Sequence, residues 1–222
     1  MDNRVDIIIS HIKLLAESVC GMVASRIIGG SAVTPYSLPW HVGLVASGSD
    51  IPFCGGTLIG PNHVLTAGHC IVGRQIEVIV GEHELYNKED GTRHEVCSKI
   101  LHPNFNKETS LNYDFAILRL KKPVKLGPRA VPACLPGSDL EANALVGKNV
   151  TASGWGRLSE GGNQSWVLHS VSLPVITPSQ CKEAYGSTSV TDTMICAGNL
   201  NDGGVDACEG DSGGEFMIVV RE

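Results

Sequence analysis

Beyond residue 26 the apolar residues come in short runs, each closed by a cluster of Gly, Pro, Asn or Asp: His41–Ala46, Thr57–Ile59, His63–Thr66, Ile76–Val80, Phe115–Leu120, Val150–Ser153 and Val171–Val175. Runs of this length, repeated with turn residues between them, make strands of a sandwich or barrel. A Pro-rich, polar stretch from Lys121 to Gly147 interrupts the series and reads as the crossing between two barrels. The expected fold is therefore all-β. Hydrophobic residues at 42% and charged residues at 18% supply a packed core, so disorder is not the default.

The net charge of -6, with no basic block, argues against a nucleic-acid surface. No apolar stretch is long enough to span a membrane as a helix, so no membrane partner is expected. Residues 1–19 place Val5, Ile8, Ile9, Ile12, Leu15 and Val19 at helical spacing, which reads as a short amphipathic helix. Asp6, His11 and Lys13 break the apolar centre that a signal peptide requires. Eight cysteines without a CxxC pair or a Cys/His metal spacing fit a disulfide framework, and hence an oxidising compartment.

Three segments carry chemistry. In Asp206-Ala207-Cys208-Glu209-Gly210-Asp211-Ser212-Gly213-Gly214 a serine sits between glycines. Glycine permits a tight turn on which the N–H groups of Gly210 and Ser212 converge, and two such donors make a hole for an oxyanion. Thr66-Ala67-Gly68-His69-Cys70 ends a β-run with a histidine, and Asn112-Tyr113-Asp114 opens an apolar strand with an acid. The chain order His, Asp, Ser is one of the known orders of a catalytic triad. A plain Gly/Ser loop is the alternative for the third segment alone. The other histidines, His11, His41, His63, His83, His94, His102 and His169, lie in no such motif and read as surface or core residues.

With these motifs the chain resembles the chymotrypsin/trypsin family from about Cys20 to its end. The resemblance implies two antiparallel six-stranded β-barrels with the site in the cleft between them. It implies Ser212 as nucleophile, His69 as general base and then acid, and Asp114 as the group that holds the imidazole. Gly210 and Ser212 supply the oxyanion hole. Ser25-Arg26-Ile27-Ile28-Gly29-Gly30 resembles the family's activation site. Residues 1–26 are then an N-terminal or propeptide segment, and 27–222 the peptidase domain. A cut after Arg26 frees the Ile27 amine to pair with Asp211, because a buried carboxylate without a partner is costly. Asp206, six residues before Ser212, is expected on the floor of the specificity pocket, where a carboxylate favours Arg or Lys in the substrate.

The resemblance further implies the disulfides Cys54–Cys70, Cys181–Cys196 and Cys20–Cys134. Val150 and Ile218 stand where many members carry one further bridge. Cys97 has no family partner, and that of Cys208 would fall beyond Glu222. No resident cofactor or metal is expected, with one qualification: Gly81 to Glu95 resembles a calcium loop. There Glu82 and Glu95 are candidate oxygen ligands and Asp90 or Glu89 adds charge, although the loop is longer than the family's. A solvated acidic loop is the alternative.

The chain stops ten residues after Ser212, so the second barrel is expected to be incomplete, and Glu215 replaces the family's Pro. The expected partners are protein or peptide substrates, an activating protease and serpin or Kunitz-type inhibitors, acting on a secreted monomer. The rival readings are a non-catalytic homologue that binds or regulates, and a metal-binding protein, which fails on spacing.

Overall fold

The computed structural model describes residues 31–87, 90–137, 140, 142–157, 163–198 and the backbone of 216–217. Strand β1 is Ser31–Ala32, β2 His41–Ala46, β3 Cys54–Gly60, β4 His63–Thr66, β5 Ile76–Val80, β6 Thr92–Leu101, β7 Ala116–Leu120, β8 Asn149–Gly154, β9 His169–Pro174 and β10 Phe216–Met217. A short helix α1 spans Gly68–Ile71 and a longer one, α2, Pro178–Tyr185.

Strands β2-β3-β4-β7-β6-β5 close into an antiparallel barrel, and β1-β9-β8-β10 form a second sheet. All the pairings are antiparallel. The all-β expectation and the first barrel hold. Among the described residues the second unit is an open sheet of four strands.

The strand pattern follows from which faces meet the core. β4 and β7 alternate, with Val64, Leu118 and Leu120 turned inward. β2 and β3 are buried nearly throughout: β8 of the second sheet lies against β2, and the segment at Ala133 bonds through its N–H to the Leu58 carbonyl of β3. Leu44, Leu58, Val78 and Leu118 have no exposed surface, and each contributes about 1.5–3 kcal/mol by burial. Close packing also dictates glycine at Gly43, where a Cβ would lie 2.9 Å from Pro52 Cγ. β6 was not legible as a strand because nearly all of it is on the outer surface, with no apolar alternation to read.

The stretch from Lys121 to Gly147 does connect the two sheets. It lays Val124 and Ala130 into the barrel core on the way. Trp155, just past β8, is 2% exposed and donates from Nε1 to the His83 carbonyl at 3.1 Å. Ser153 and His41 meet at 3.0 Å beside it. These contacts fix the second sheet against the barrel. Val150 packs with Leu145, Leu173 and Val175, an apolar filling at the site of the absent bridge. Helix α2 carries an unforeseen start signal. Thr177 and Gln180 form a capping box with Pro178 in the first turn.

Candidate active site

Strand register brings His69 and Asp114 together. Thr66, the last residue of β4, pairs with Ala116, the first of β7. His69 lies three residues past that end of the ladder and Asp114 two residues before it, so the same end of one strand pair delivers both. The Asp114 carboxylate then holds His69 twice. Oδ1 accepts the His69 backbone N–H at 2.8 Å, and Oδ2 meets Nδ1 at 2.6 Å. The backbone bond fixes where the histidine starts and the ring bond fixes how it is turned.

That second contact keeps the proton on Nδ1 and leaves Nε2 as the basic nitrogen. Bonding to Asp114 raises the His69 pKa above its ordinary value, against a lowering by burial. A ring held this way can take a proton at Nε2 from a hydroxyl and return it to a leaving group. Nε2 lies 3.6 Å from Cys70 Sγ.

Two features hold the base in place. The Cys54–Cys70 disulfide ties α1 to β3, as expected. Gly68 leaves no room for a side chain, since a Cβ there would lie 2.8 Å from Leu101 Cδ1 and 2.9 Å from the Phe105 ring. Cys54, His69 and Cys70 place their ligand atoms within 4.8 Å of one another. The two sulfurs are bonded to each other, so no thiolate remains for a metal there.

The acid has its own support, which the sequence motif did not assign. Asn112 is fully buried. Its Oδ1 accepts from Tyr113 N, Thr191 Oγ1 and Thr193 Oγ1 at 3.1, 2.9 and 2.6 Å, and its Nδ2 donates to the Lys107 carbonyl at 2.8 Å. Tyr113 stands at φ 52°, a strained angle for a non-glycine residue, and its ring stacks on His102 at 4.9 Å. Asn112 thus links the turn that carries Asp114 to the Thr191–Thr193 segment of the second unit. A polar residue at a strand entrance was the only signal; nothing in the sequence marked Thr191 or Thr193.

The Cys181–Cys196 disulfide is present, and Cys134 is disulfide-bonded. Its expected partner Cys20 lies outside the described residues, as do Arg26, Ile27, Glu89, Asp206, Cys208, Gly210, Asp211, Ser212, Glu215 and Ile218. Cys97 is an exposed free thiol.

In the acidic loop Asp90 is 6% exposed. Its oxygens accept from Tyr36 at 2.7 Å, Arg129 at 3.0 Å, and the backbone N–H groups of His83 and Glu84 at 3.0 and 3.3 Å. Glu95 pairs with Lys121 at 2.8 Å on the outer surface. Of the candidate calcium ligands described, only Glu82 keeps a buried oxygen, Oε1, without a hydrogen-bond partner.

Comparison with known proteins agrees with this geometry. The Trypsin family matches residues 27–218. Serine proteinase stubble of Drosophila melanogaster is 35% identical over 96% of this chain and 29% of its own length. Ovochymase-2 of Mus musculus is 40% identical over 89% of this chain and 33% of its own. The chain therefore spans about a third of the length of these relatives or less. Among solved structures, neuropsin, a serine protease expressed in the limbic system of mouse brain, superposes with a TM-score of 0.74 at 31% identity, covering 86% of this chain and 82% of that one. A closed barrel with a carboxylate–imidazole pair at one strand end, matched along most of its length in these ways, belongs to the chymotrypsin/trypsin-like serine protease family.

Proposed function

We propose that the chain is the precursor of a secreted serine endopeptidase that cleaves protein substrates after Arg or Lys and is activated by a cut after Arg26. The observation that carries this reading is the Asp114 carboxylate bound to both the backbone and the ring of His69. That pair is the base half of an acyl-transfer site, and the family supplies the other half in Ser212.

In this mechanism Ser212 Oγ attacks the scissile carbonyl while His69 Nε2 takes its proton. The backbone N–H groups of Gly210 and Ser212 stabilise the oxyanion. His69 then protonates the leaving amine, and water repeats the sequence to free the acid. Asp114 stays ionised and offsets the charge of the imidazolium. Asp206 pairs with the basic side chain of the substrate. The new Ile27 amine pairs with Asp211 and orders the oxyanion loop, so the uncut chain is nearly inert. The disulfides favour an oxidising, extracytoplasmic setting.

The test is a fluorophosphonate probe applied before and after cutting at Arg26. Labelling of Ser212 only in the cut chain, lost in Ser212→Ala, is the expected result. An unlabelled cut chain would favour a homologue that binds without catalysis. Cleavage after Arg that survives Asp206→Ala unchanged would remove the pocket assignment.

A further inference from the structure

We propose that Asn149 is an N-glycosylation site, an inference that rests on the secretion reading above. Only two asparagines of the chain stand two residues before a Ser or Thr with no proline between, the pattern an oligosaccharide acceptor requires: Asn149-Val150-Thr151 and Asn163-Gln164-Ser165. The fold treats the two differently.

Asn149 opens β8 at the end remote from Trp155 and the barrel. Successive side chains of a strand point to opposite faces, so Asn149 and Thr151 share the face opposite the buried Val150. Asn149 is exposed, Thr151 is half-buried, and neither side chain has a hydrogen-bond partner among the described residues. A glycan on this exposed amide displaces no side-chain hydrogen bond among the described residues. The preceding segment also leaves Leu140 and Val146 exposed, and a bulky hydrophilic chain beside them screens apolar surface from other molecules.

Asn163 is exposed too, but its neighbours are committed to the seam between the sheets. Gln164 Nε2 donates to the Pro52 carbonyl at 2.9 Å, and Ser165 N donates to the Gly156 carbonyl at 3.1 Å. Ser165 is 4% exposed, with its hydroxyl on the Val167 carbonyl at 2.6 Å. The hydroxyl that an acceptor site needs is built into the fold there, whereas the Thr151 hydroxyl makes no such bond among the described residues.

The donor is a lipid-diphosphate-linked oligosaccharide. The bond from the sugar C1 to the phosphate oxygen breaks and a bond from C1 to Asn149 Nδ2 forms. Nδ2 gives up one proton, the lipid diphosphate departs, and no oxidant or reductant is needed.

The experiment expresses the full chain in animal cells behind a supplied secretory leader and treats it with peptide-N-glycosidase. The expected result is a gel shift on treatment, with Asn149 read as Asp in the peptide spectrum. The glycan at this position is lost in Asn149→Gln and equally in Thr151→Val, which keeps the asparagine and the strand shape, and is retained in Thr151→Ser. Unmodified Asn149 in chain recovered with the Cys54–Cys70 bridge formed overturns the site and leaves the secretion reading standing. Chain that enters the secretory pathway, is unmodified at Asn149 and keeps Cys54 and Cys70 as free thiols overturns both. A Thr151→Val chain still modified at Asn149 also overturns the assignment.

Discussion

In the barrel each strand has a partner on both sides, because β2 pairs with β3 and with β5 and the ring closes. In the second sheet the described outer strands, β1 and β10, are two residues long. The described half of the candidate site, His69 and Asp114, lies with the barrel. The barrel brings His69 and Asp114 to one end of a single strand pair by register, and the Cys54–Cys70 bridge and the Asn112 network then hold them. The second unit is held to the barrel by longer-range contacts, the Asn112 link to Thr191 and Thr193 and the Trp155 seam. A closed ring brings a proton-transfer pair together by register; an open sheet needs anchors on its neighbour.

The strongest way to break this comparison is at Asp114. Asp114→Asn keeps the shape but lets the His69 ring take the wrong tautomer. Such a change in a chymotrypsin-like triad costs about 10⁴-fold in kcat. It also removes the bond that raises the His69 pKa. In the proposed mechanism turnover requires neutral His69, so the acid limb of the pH profile should move to lower pH in the variant. In folding, a raised histidine pKa adds stability that is fully present below the ordinary 6.5 and lost as pH rises through the folded value. The variant should therefore lose that acid-side increment and no more. Turnover within tenfold of the parent would show that the barrel does not set the base.

The two disulfides sharpen the comparison, because they close loops of nearly equal length, 16 and 15 residues apart. Loop-closure entropy gives about 3 kcal/mol for each. Replacing Cys54 and Cys70 by alanine, or Cys181 and Cys196, should lower stability by similar amounts in guanidinium unfolding. Only the first pair should disturb the His69 titration followed by NMR, since only it anchors α1. An equal disturbance from the second pair would mean that both units hold the base.

The sequence made legible what local rules control. The run His41–Ala46 became β2 without adjustment, and His63–Thr66 and Ile76–Val80 became β4 and β5, because each has an apolar face and a turn signal at its end. His69 and Asp114 were readable from residue type and order, and their meeting follows from β4–β7 register. β6 was hidden because its side chains face water. The Asn112 link was hidden for another reason. Its partners Thr191 and Thr193 are about 80 residues away in the chain, at 79 and 81, and nothing local in them implies a buried amide.

Asn112 offers a smaller test of how the two units communicate. Asn112→Ala removes the acceptor of the buried Tyr113 N–H and the donor to the Lys107 carbonyl, at about 1–3 kcal/mol for such a loss. We expect about 2 kcal/mol in stability, together with a fall in the His69 pKa as the Asp114 turn loosens. Thr193→Val removes one donor from the far side and should cost about 1 kcal/mol, with a smaller pKa change in the same direction. A Thr193→Val chain with both quantities unchanged would show that the second unit does not help to hold the acid.

The smallest effect belongs to Glu82, on the barrel side. Burial, reinforced by the charge of Asp90, pushes its pKa from 4.5 up to about 7, while the His83 N–H and Arg93 oppose the rise. The folded protein therefore holds a proton between pH 4.5 and 7 that the unfolded chain has released. Stability attributable to Glu82 is full below 4.5, declines across that window and stays reduced above 7. Glu82→Gln removes the charge and with it the decline. The variant should melt like the parent at pH 4 and a few degrees higher at pH 8, with the gap opening between. Asp90, satisfied by four donors, should show the opposite sign: Asp90→Asn leaves the Arg129 guanidinium without its anion and lowers the melting temperature at pH 8. If Glu82→Gln lowers stability at pH 8 instead, the carboxylate is wanted in its charged form, and the buried Oε1 has a cationic partner that the barrel itself does not supply.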